Sequence, residues 1–300
     1  MVTVTAECAP RWATQRSRRR TLAPQAASVA RKLGLNLLPW QRMVLSVALE
    51  RARGRPAYRD VIVSVPRQSG KSTTVLALIV WRMTEFPGSR VMYGAQTRTA
   101  ARLKMLESWW PRLVSSPLGA DLRLFRGFGN ETISHANGSV LQLLSASESA
   151  GHGETVDLAV IDEAWVHRDA HVEQAVRPAM VTRKDAQLWA LSTAGTWRSE
   201  WWKGKLDAGR AAAEMGVDAG VCCFDWSAPA DANPADPATW RACMPALGRL
   251  ADEKTVRADL AAMGLEEFRR AYLNQWPDPA RQGWKVFARE AWARARGDDS

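Results

Sequence analysis

The chain has 300 residues, enough for one large core or two modest domains, and its 46% apolar and 24% charged residues are ordinary for a globular protein. No apolar run reaches the length of a membrane span, residues 75–81 being too short, and the N-terminus lacks an apolar signal core, so neither membrane insertion nor secretion is expected. The 41 basic residues against 31 acidic ones give a formal charge of +10, an excess that draws a protein towards a polyanion with salt-sensitive affinity.

Residues 1–28 are rich in Arg, Ser, Thr, Pro and Ala without periodicity and are expected to form a weakly ordered basic segment. Two arginine clusters stand out, Arg16, Arg18, Arg19 and Arg20, then Arg51, Arg53, Arg55 and Arg59. A short helix is predicted over 29–33. A longer one opens at Pro39-Trp40-Gln41, with Met43, Val44, Val47, Ala48 and Leu49 as its apolar stripe, and Gly54 and Pro56 end it. Residues 61–65 are a β-branched run that reads as a buried strand, followed by a helix from about Gly70 through Thr74, Leu76, Leu78 and Ile79. A turn at Pro87-Gly88 precedes a strand over 90–93 and a helix over 99–106, with Trp109-Trp110 packing near its apolar side. Residues 132–134 and 139–144 read as a hairpin turning near Asn137-Gly138, and 156–162 and 188–192 as further strands. From about residue 217 Gly, Pro, Ala and Asp become prominent, then two or three helical segments follow with Leu260, Leu265, Phe268 and Tyr272. Short apolar strands alternating with helices predict an α/β core with a mainly parallel sheet over 29–216, and a small helical lid or linker over 217–300.

The segment between the strand at 61–65 and its helix carries the chemistry. Val65-Pro66-Arg67-Gln68-Ser69-Gly70-Lys71-Ser72 reads as a phosphate-gripping loop, with Val65 where the general pattern G-x-x-x-x-G-K-[ST] has its first Gly. Backbone N–H groups at a helix start converge on phosphate oxygens, Gly70 allows close approach, Lys71 meets the β- and γ-phosphates, and Ser72 offers its hydroxyl to Mg²⁺. Arg67 could reach the γ-phosphate, or else pack or pair with the region of Glu163; Gln68 could orient the loop or a water. A plain surface turn is the competing reading of the motif.

Asp162-Glu163 ends the apolar run Leu158-Ala159-Val160-Ile161. Two carboxylates at the end of a buried strand are costly unless cations, donors or solvent receive them. Asp162 fits a Mg²⁺-facing role and Glu163 the polarisation of an attacking water; an acidic cap for the next helix is the alternative. Trp40-Gln41 could stack on and hydrogen-bond an adenine, or simply pack their helix. Ser192-Thr193-Ala194-Gly195 could sense a γ-phosphate or mark an ordinary turn. Cys8, Cys222, Cys223 and Cys243 make no metal or disulfide pattern, which points to a reduced intracellular chain. His135, His152, His167 and His171 form no zinc arrangement.

Taken together, Pro66-Arg67-Gln68-Ser69-Gly70-Lys71-Ser72-Thr73, Tyr93-Gly94-Ala95-Gln96-Thr97-Arg98, Val160-Ile161-Asp162-Glu163-Ala164 and Leu191-Ser192-Thr193-Ala194-Gly195 resemble the ATPase region of the tailed-phage terminase large subunit. Phe268-Arg269-Arg270-Ala271-Tyr272-Leu273-Asn274-Gln275-Trp276 is similar to the family's segment before its nuclease domain. The likeness spans most of 35–290, and Val65 is a departure that the family tolerates. It implies a P-loop NTPase fold, and ATP hydrolysis with Mg²⁺ that drives double-stranded DNA through a portal into a procapsid, in the host cytoplasm. Portal protein and small terminase subunit would be partners, and the working form a homo-oligomeric ring, expected to be a pentamer. On the site, the resemblance implies phosphate and nucleotide contacts from Gln68 through Thr73, with Ser69, Gly70, Lys71 and Ser72 between them. Lys71 and Ser72 would bind phosphate and metal, Asp162 would hold Mg²⁺ and Glu163 would activate water. Arg67 would sense or stabilise the γ-phosphate, and Ser192 and Thr193 would couple hydrolysis to movement. A neighbouring subunit's arginine can complete such a site, with Arg98, Arg102, Arg126, Arg177 and Arg198 as possible donors. Complete members add an RNase-H-type nuclease with clustered carboxylates; Asp298 and Asp299 do not make one, so DNA cleavage is not expected of this chain. A helicase-like remodelling ATPase and a non-hydrolysing nucleotide-binding scaffold are the competing functions.

Overall fold

The computed structural model describes residues 8–127, 129–144, 155–216 and 219–277. From residue 8 onward the expectation of a weakly ordered N-terminal segment is corrected. β1 (Trp12–Ala13) pairs antiparallel with Asp225 and Phe224, and α1 (Ala23–Lys32) buries Ala26, Val29 and Ala30. Between them Ser17 donates from its backbone N (2.9 Å) and its hydroxyl (2.5 Å) to the fully buried carboxylate of Glu50, which Arg16 also pairs. A buried carboxylate must find donors, and this segment supplies them. Its order comes from polar ties and small alanines, which leave no apolar period to read.

α2 (Pro39–Ala48) begins with proline in its first turn, where the missing N–H is harmless, and is followed by a ribbon of β2 (Arg51–Ala52) and β3 (Arg55–Pro56). β4 (Asp60–Ser64) leads through the phosphate loop to α3 (Lys71–Glu85). β5 (Arg90–Gly94) then precedes α4 (Arg98–Leu103), which passes through a π-helical turn (Lys104–Trp109) into α5 (Trp110–Ser115). β6 (Leu122–Phe125), β7 (Thr132–His135) and β8 (Val140–Leu143) form an antiparallel run, with Gly138 at φ +87° in the turn at Asn137-Gly138. β9 (Leu158–Asp162), α6 (His171–Met180), β10 (Gln187–Ser192), α7 (Glu200–Met215) and β11 (Val221–Asp225) complete the layered part.

The strands make one nine-stranded sheet in the order β1-β11-β4-β10-β9-β5-β8-β7-β6, parallel from β11 to β8 and antiparallel at both edges. Its central strands are covered on both faces. Val61 and Val63 of β4, Val160 of β9 and Trp189 of β10 join the core beneath α1, α2 and α3, whereas Ile62, Ile161 and Ala190 join that beneath α6 and α7. This is the period of two read through a doubly covered sheet. Cys222 and Cys223 follow it too, one thiol in each layer. Because β11 lies beside β4, the layered core runs to residue 225 rather than ending at 216. The remainder is a small helical unit of α8 (Pro237–Cys243), α9 (Glu253–Ala262) and α10 (Leu265–Tyr272), with its own core of Trp240, Met244, Val256, Phe268 and Leu273. Among the described residues no helix is long and apolar enough to cross a membrane.

Candidate nucleotide-binding site

The loop after β4 is shaped from outside. Trp40 donates its indole N–H to the Ser69 carbonyl at 3.0 Å, and Gln41 its amide to the Gly70 carbonyl at 2.8 Å. In a planar trans peptide the N–H points opposite to the C=O, so turning these carbonyls towards α2 aims the Gly70 and Lys71 N–H groups inward. Gln68 at φ +59° and Gly70 at φ +86° supply the two left-handed residues that such a concave, anion-seeking backbone needs. A Cβ on Gly70 would also stand 3.1 Å from the Gln41 amide and 3.1 Å from Leu250 of the helical unit. Val65 is not in a left-handed conformation. It is fully buried and extends the ladder of β4, donating to the Ser192 carbonyl at 3.0 Å, so no glycine is required there.

These contacts correct the expectation that Trp40 and Gln41 both meet an adenine. Gln41 is 1% exposed, and its other amide atom accepts from the Leu38 N–H at 2.6 Å, so both ends of the amide are turned to the backbone. Trp40, edge-on to Trp226, does line a second cavity of about 600 Å³ with Met43, Met244 and Leu247.

The acidic turn faces the loop across a cavity of about 520 Å³, lined by Arg67 through Ser72 on one side and by Asp162, Glu163 and Trp165 on the other. Lys71 Nζ is 3.7 Å from Glu163 Oε1, so the motifs are brought to one place. Asp162, 1% exposed at the end of β9, accepts from the Tyr93 hydroxyl (3.1 Å) and from Lys104 Nζ (2.7 Å) on the same oxygen. Burial, together with Asp162, drives the Tyr93 phenol far above its ordinary range, so it keeps the proton that it donates to Asp162. Glu163 sits at φ +56°, a strained conformation for a residue with a Cβ, and the Trp165 indole donates to its Oε2 at 3.0 Å. Thr73 closes the first helical turn on the Gly70 carbonyl at 3.1 Å.

A hard divalent cation such as Mg²⁺ takes a hydroxyl and one or two carboxylates, and leaves the rest of its shell to water and phosphate. Ser72 and Asp162 line the same cavity, and the Ser72 hydroxyl bonds to none of the described residues, so the donor set fits that ion.

Arg67 is 41% exposed, reaches Glu267 of α10 at 3.2 Å and lies 6.0 Å from the Trp165 ring, while its backbone N–H donates to the Ala271 carbonyl at 2.8 Å. Ser192 and Thr193 are fully buried and off the cavity wall, so neither hydroxyl is placed to touch a phosphate. Ser192 Oγ accepts from the Trp165 N–H at 3.0 Å, and the Thr193 carbonyl accepts from the Trp202 indole at 2.9 Å, tying this strand end to the acidic turn and to α7. Gly195 is required by crowding, since a Cβ there would fall 2.4 Å from Ser199. Among the arginines considered as donors to a neighbouring copy, Arg98 and Arg102 pair with the buried Glu131, and Arg177 with Asp60 and Glu173. Arg126 and Arg198 are exposed, Arg198 stacked over Trp197 at 4.6 Å. Asp298 and Asp299 lie outside the described residues, as does His152.

Sequence reasoning passes over Tyr93, Lys104, Trp165 and Asn274. Asn274, fully buried at φ +53°, donates to Ser64 Oγ (2.7 Å), Asp225 Oδ1 (3.2 Å) and the Trp226 carbonyl (2.9 Å), and accepts from the Ala194 N–H. It braces the ends of β4, β10 and β11, the first of which leads into the phosphate loop. Tyr93 and Asn274 stand inside the motifs quoted for the family; Lys104 and Trp165 carry no local signal.

A helix opened by a glycine-lysine-serine turn, beside a parallel strand that ends in two carboxylates, defines the phosphate-binding domain of a P-loop nucleoside triphosphatase fold. Residues 62–241 match the model of the terminase large subunit, T4likevirus-type, N-terminal family, and the chain belongs to that family. Among solved structures it is similar to the HK97 bacteriophage large terminase, at 20% identity and a TM-score of 0.73 over 86% of this chain and 56% of that one. It is similar also to the Thermus phage P74-26 large terminase ATPase domain, at 19% identity and a TM-score of 0.54 over 82% of this chain and 96% of that one. The large terminase of a further thermophilic bacteriophage, solved in complex with ATP-γ-S, matches at 14% identity and a TM-score of 0.52, over 84% of this chain and 52% of that one. The chain thus spans about half the length of the HK97 terminase and of the one solved with ATP-γ-S. No curated protein matches it.

Proposed function

We propose that this chain is the ATP-hydrolysing motor part of a terminase, coupling Mg²⁺-dependent ATP hydrolysis to the movement of double-stranded DNA into a procapsid. The observation that supports the reading is the single cavity onto which Lys71, Ser72, Asp162 and Glu163 all open. The inward N–H groups of Gly70 and Lys71 cradle phosphate oxygens, and Lys71 neutralises them. Ser72 and Asp162 would hold Mg²⁺, which when bound would offset the negative charge that develops on the phosphate oxygens. Glu163, oriented by Trp165, positions a water and takes its proton. Arg67 swings from Glu267 to the γ-phosphate, so that phosphate and helical unit compete for one guanidinium. The base is assigned to the second cavity beside Trp40.

Ser192 and Thr193 act at one remove. They transmit a shift of the acidic turn, through Trp165, to α7. Copies of the chain assemble as a ring, a pentamer, at the portal in the host cytoplasm, with the small terminase subunit, the portal protein and duplex DNA as partners. Arg126 or Arg198 of a neighbouring copy completes the site. Turnover of ATP by the purified chain and by Glu163→Gln, at high protein concentration with and without duplex DNA, tests this. The variant should bind nucleotide normally and lose about 10²–10³-fold in rate; a variant as active as its parent would remove Glu163 from the chemistry.

A further inference from the structure

Each carboxylate of the acidic turn has its own lysine. Glu163 faces Lys71, which belongs to the phosphate loop, but the more deeply buried Asp162 is neutralised by Lys104, which belongs to neither motif. Lys104 begins the π-helical turn, and π-turns insert an extra residue that re-aims the side chains around them. Met105 and Trp109 of this turn are buried, Trp109 with its ring 4.5 Å from that of Tyr93. That seating delivers Lys104 Nζ to within 2.7 Å of Asp162 Oδ2, on the wall of the nucleotide cavity.

Both lone pairs of Oδ2 are engaged, one by Lys104 and one by the Tyr93 hydroxyl, while Oδ1 accepts from the Glu163 N–H at 3.1 Å. A buried carboxylate without a counter-charge is strongly disfavoured, so Lys104 cannot leave unless another cation replaces it. Conversely, an ammonium and a divalent ion repel each other at the few ångströms that would separate them on one carboxylate. Lys104 is 24% exposed on a four-carbon stem, so it has room to withdraw into the cavity.

We propose that Lys104 is a positioning residue that occupies the metal's place on Asp162 and is exchanged for Mg²⁺ when nucleotide binds. Metal-free nucleotide then meets a site whose aspartate is still capped, and the exchange releases an ammonium beside the incoming triphosphate. The inference rests on the nucleotide-site reading above.

The test is the Mg²⁺ concentration at which ADP binding to the full chain is half-maximal, compared among the parent, Lys104→Met and Lys104→Arg. Lys104→Met should lower that concentration about tenfold or more, because the competitor is gone, while Lys104→Arg keeps a competitor and stays near the parent. An unchanged or raised requirement in Lys104→Met would overturn the exchange. Should Lys104→Met not fold, the parent answers alone. With lysines labelled by ¹³C reductive methylation, the Lys104 resonance, assigned from Lys104→Arg, should shift with ADP plus Mg²⁺ and hold still with ADP plus EDTA. A resonance indifferent to the metal would sink the proposal. A parent chain that binds no ADP at any Mg²⁺ concentration would defeat the nucleotide reading itself, and this inference with it; a parent that binds while Lys104→Met shows no change defeats only the exchange.

Discussion

The two walls of the cavity are held in opposite ways. The backbone of the phosphate loop is held from outside, by Trp40, Gln41 and the Ala271 carbonyl, and leaves the Gly70 and Lys71 N–H groups facing in. The acidic turn does the reverse: Asp162 and Glu163 take Lys104, Tyr93, Lys71 and Trp165 as partners across or along the cavity itself. The first wall is pre-organised for an anion. The second is internally neutralised and must exchange partners to work, so substitutions should separate the two by whether they change stability or binding.

The largest effect is expected at the buried knot behind the phosphate loop, where the ends of β4, β10 and β11 meet. Asn274→Ala strips partners from Ser64, Asp225, the Trp226 carbonyl and the Ala194 N–H, all buried. It should cost about 3 kcal/mol in urea unfolding, since each orphaned group is worth roughly 1–3 kcal/mol; a loss below about 1 kcal/mol would show that the knot is not a brace. Next, Lys71→Met removes a cation from the opening of the pre-organised wall, and should weaken ADP binding about 100-fold with little change in Tm, read by calorimetry. A large fall in Tm instead would mean that Lys71 serves mainly to neutralise Glu163.

Gln41→Ala tests the outer support. The Leu38 N–H loses its partner and the Gly70 carbonyl keeps only Thr73, and both Tm and ADP affinity should fall together, the affinity about tenfold. Loss of stability with unchanged affinity would show that α2 does not shape the loop. The smallest effect is a pH limb away from the cavity. Burial pushes the Asp157 carboxyl up, but the Arg183 hydrogen bonds, the Arg90 backbone N–H and Arg82 outweigh it and hold it below its ordinary range. A depressed carboxylate stabilises the fold above the pKa of the unfolded chain, and that stability is lost as pH falls through the folded value. Asp157→Asn should therefore flatten the acid side of the stability–pH curve by about one proton; an unaltered slope would deny the coupling.

The central strands are legible in the sequence because they are apolar on both faces, and α3 because its start carries the glycine-lysine-serine signature. The hairpin at Asn137-Gly138 is legible because its turn needs a left-handed residue. What escapes a reading of the sequence is order maintained by polar contacts at long range. β1 is two residues long, and the segment after it is tied to Glu50 by Ser17, which no local pattern announces. Lys104 is one basic residue among many until the fold brings it to Asp162, 58 positions along the chain. Gln41 stands out in the sequence but suggests a base where the fold gives it the backbone, because an amide that could read a base edge is equally suited to a backbone carbonyl.

The most direct test of the account is a crystal structure with Mg²⁺ and a non-hydrolysable ATP analogue. The account predicts the γ-phosphate within about 3 Å of Lys71 Nζ, the metal between Ser72 and Asp162, and Lys104 withdrawn from the aspartate. A nucleotide bound elsewhere, with the Lys104–Asp162 pair intact and the loop empty, would contradict it.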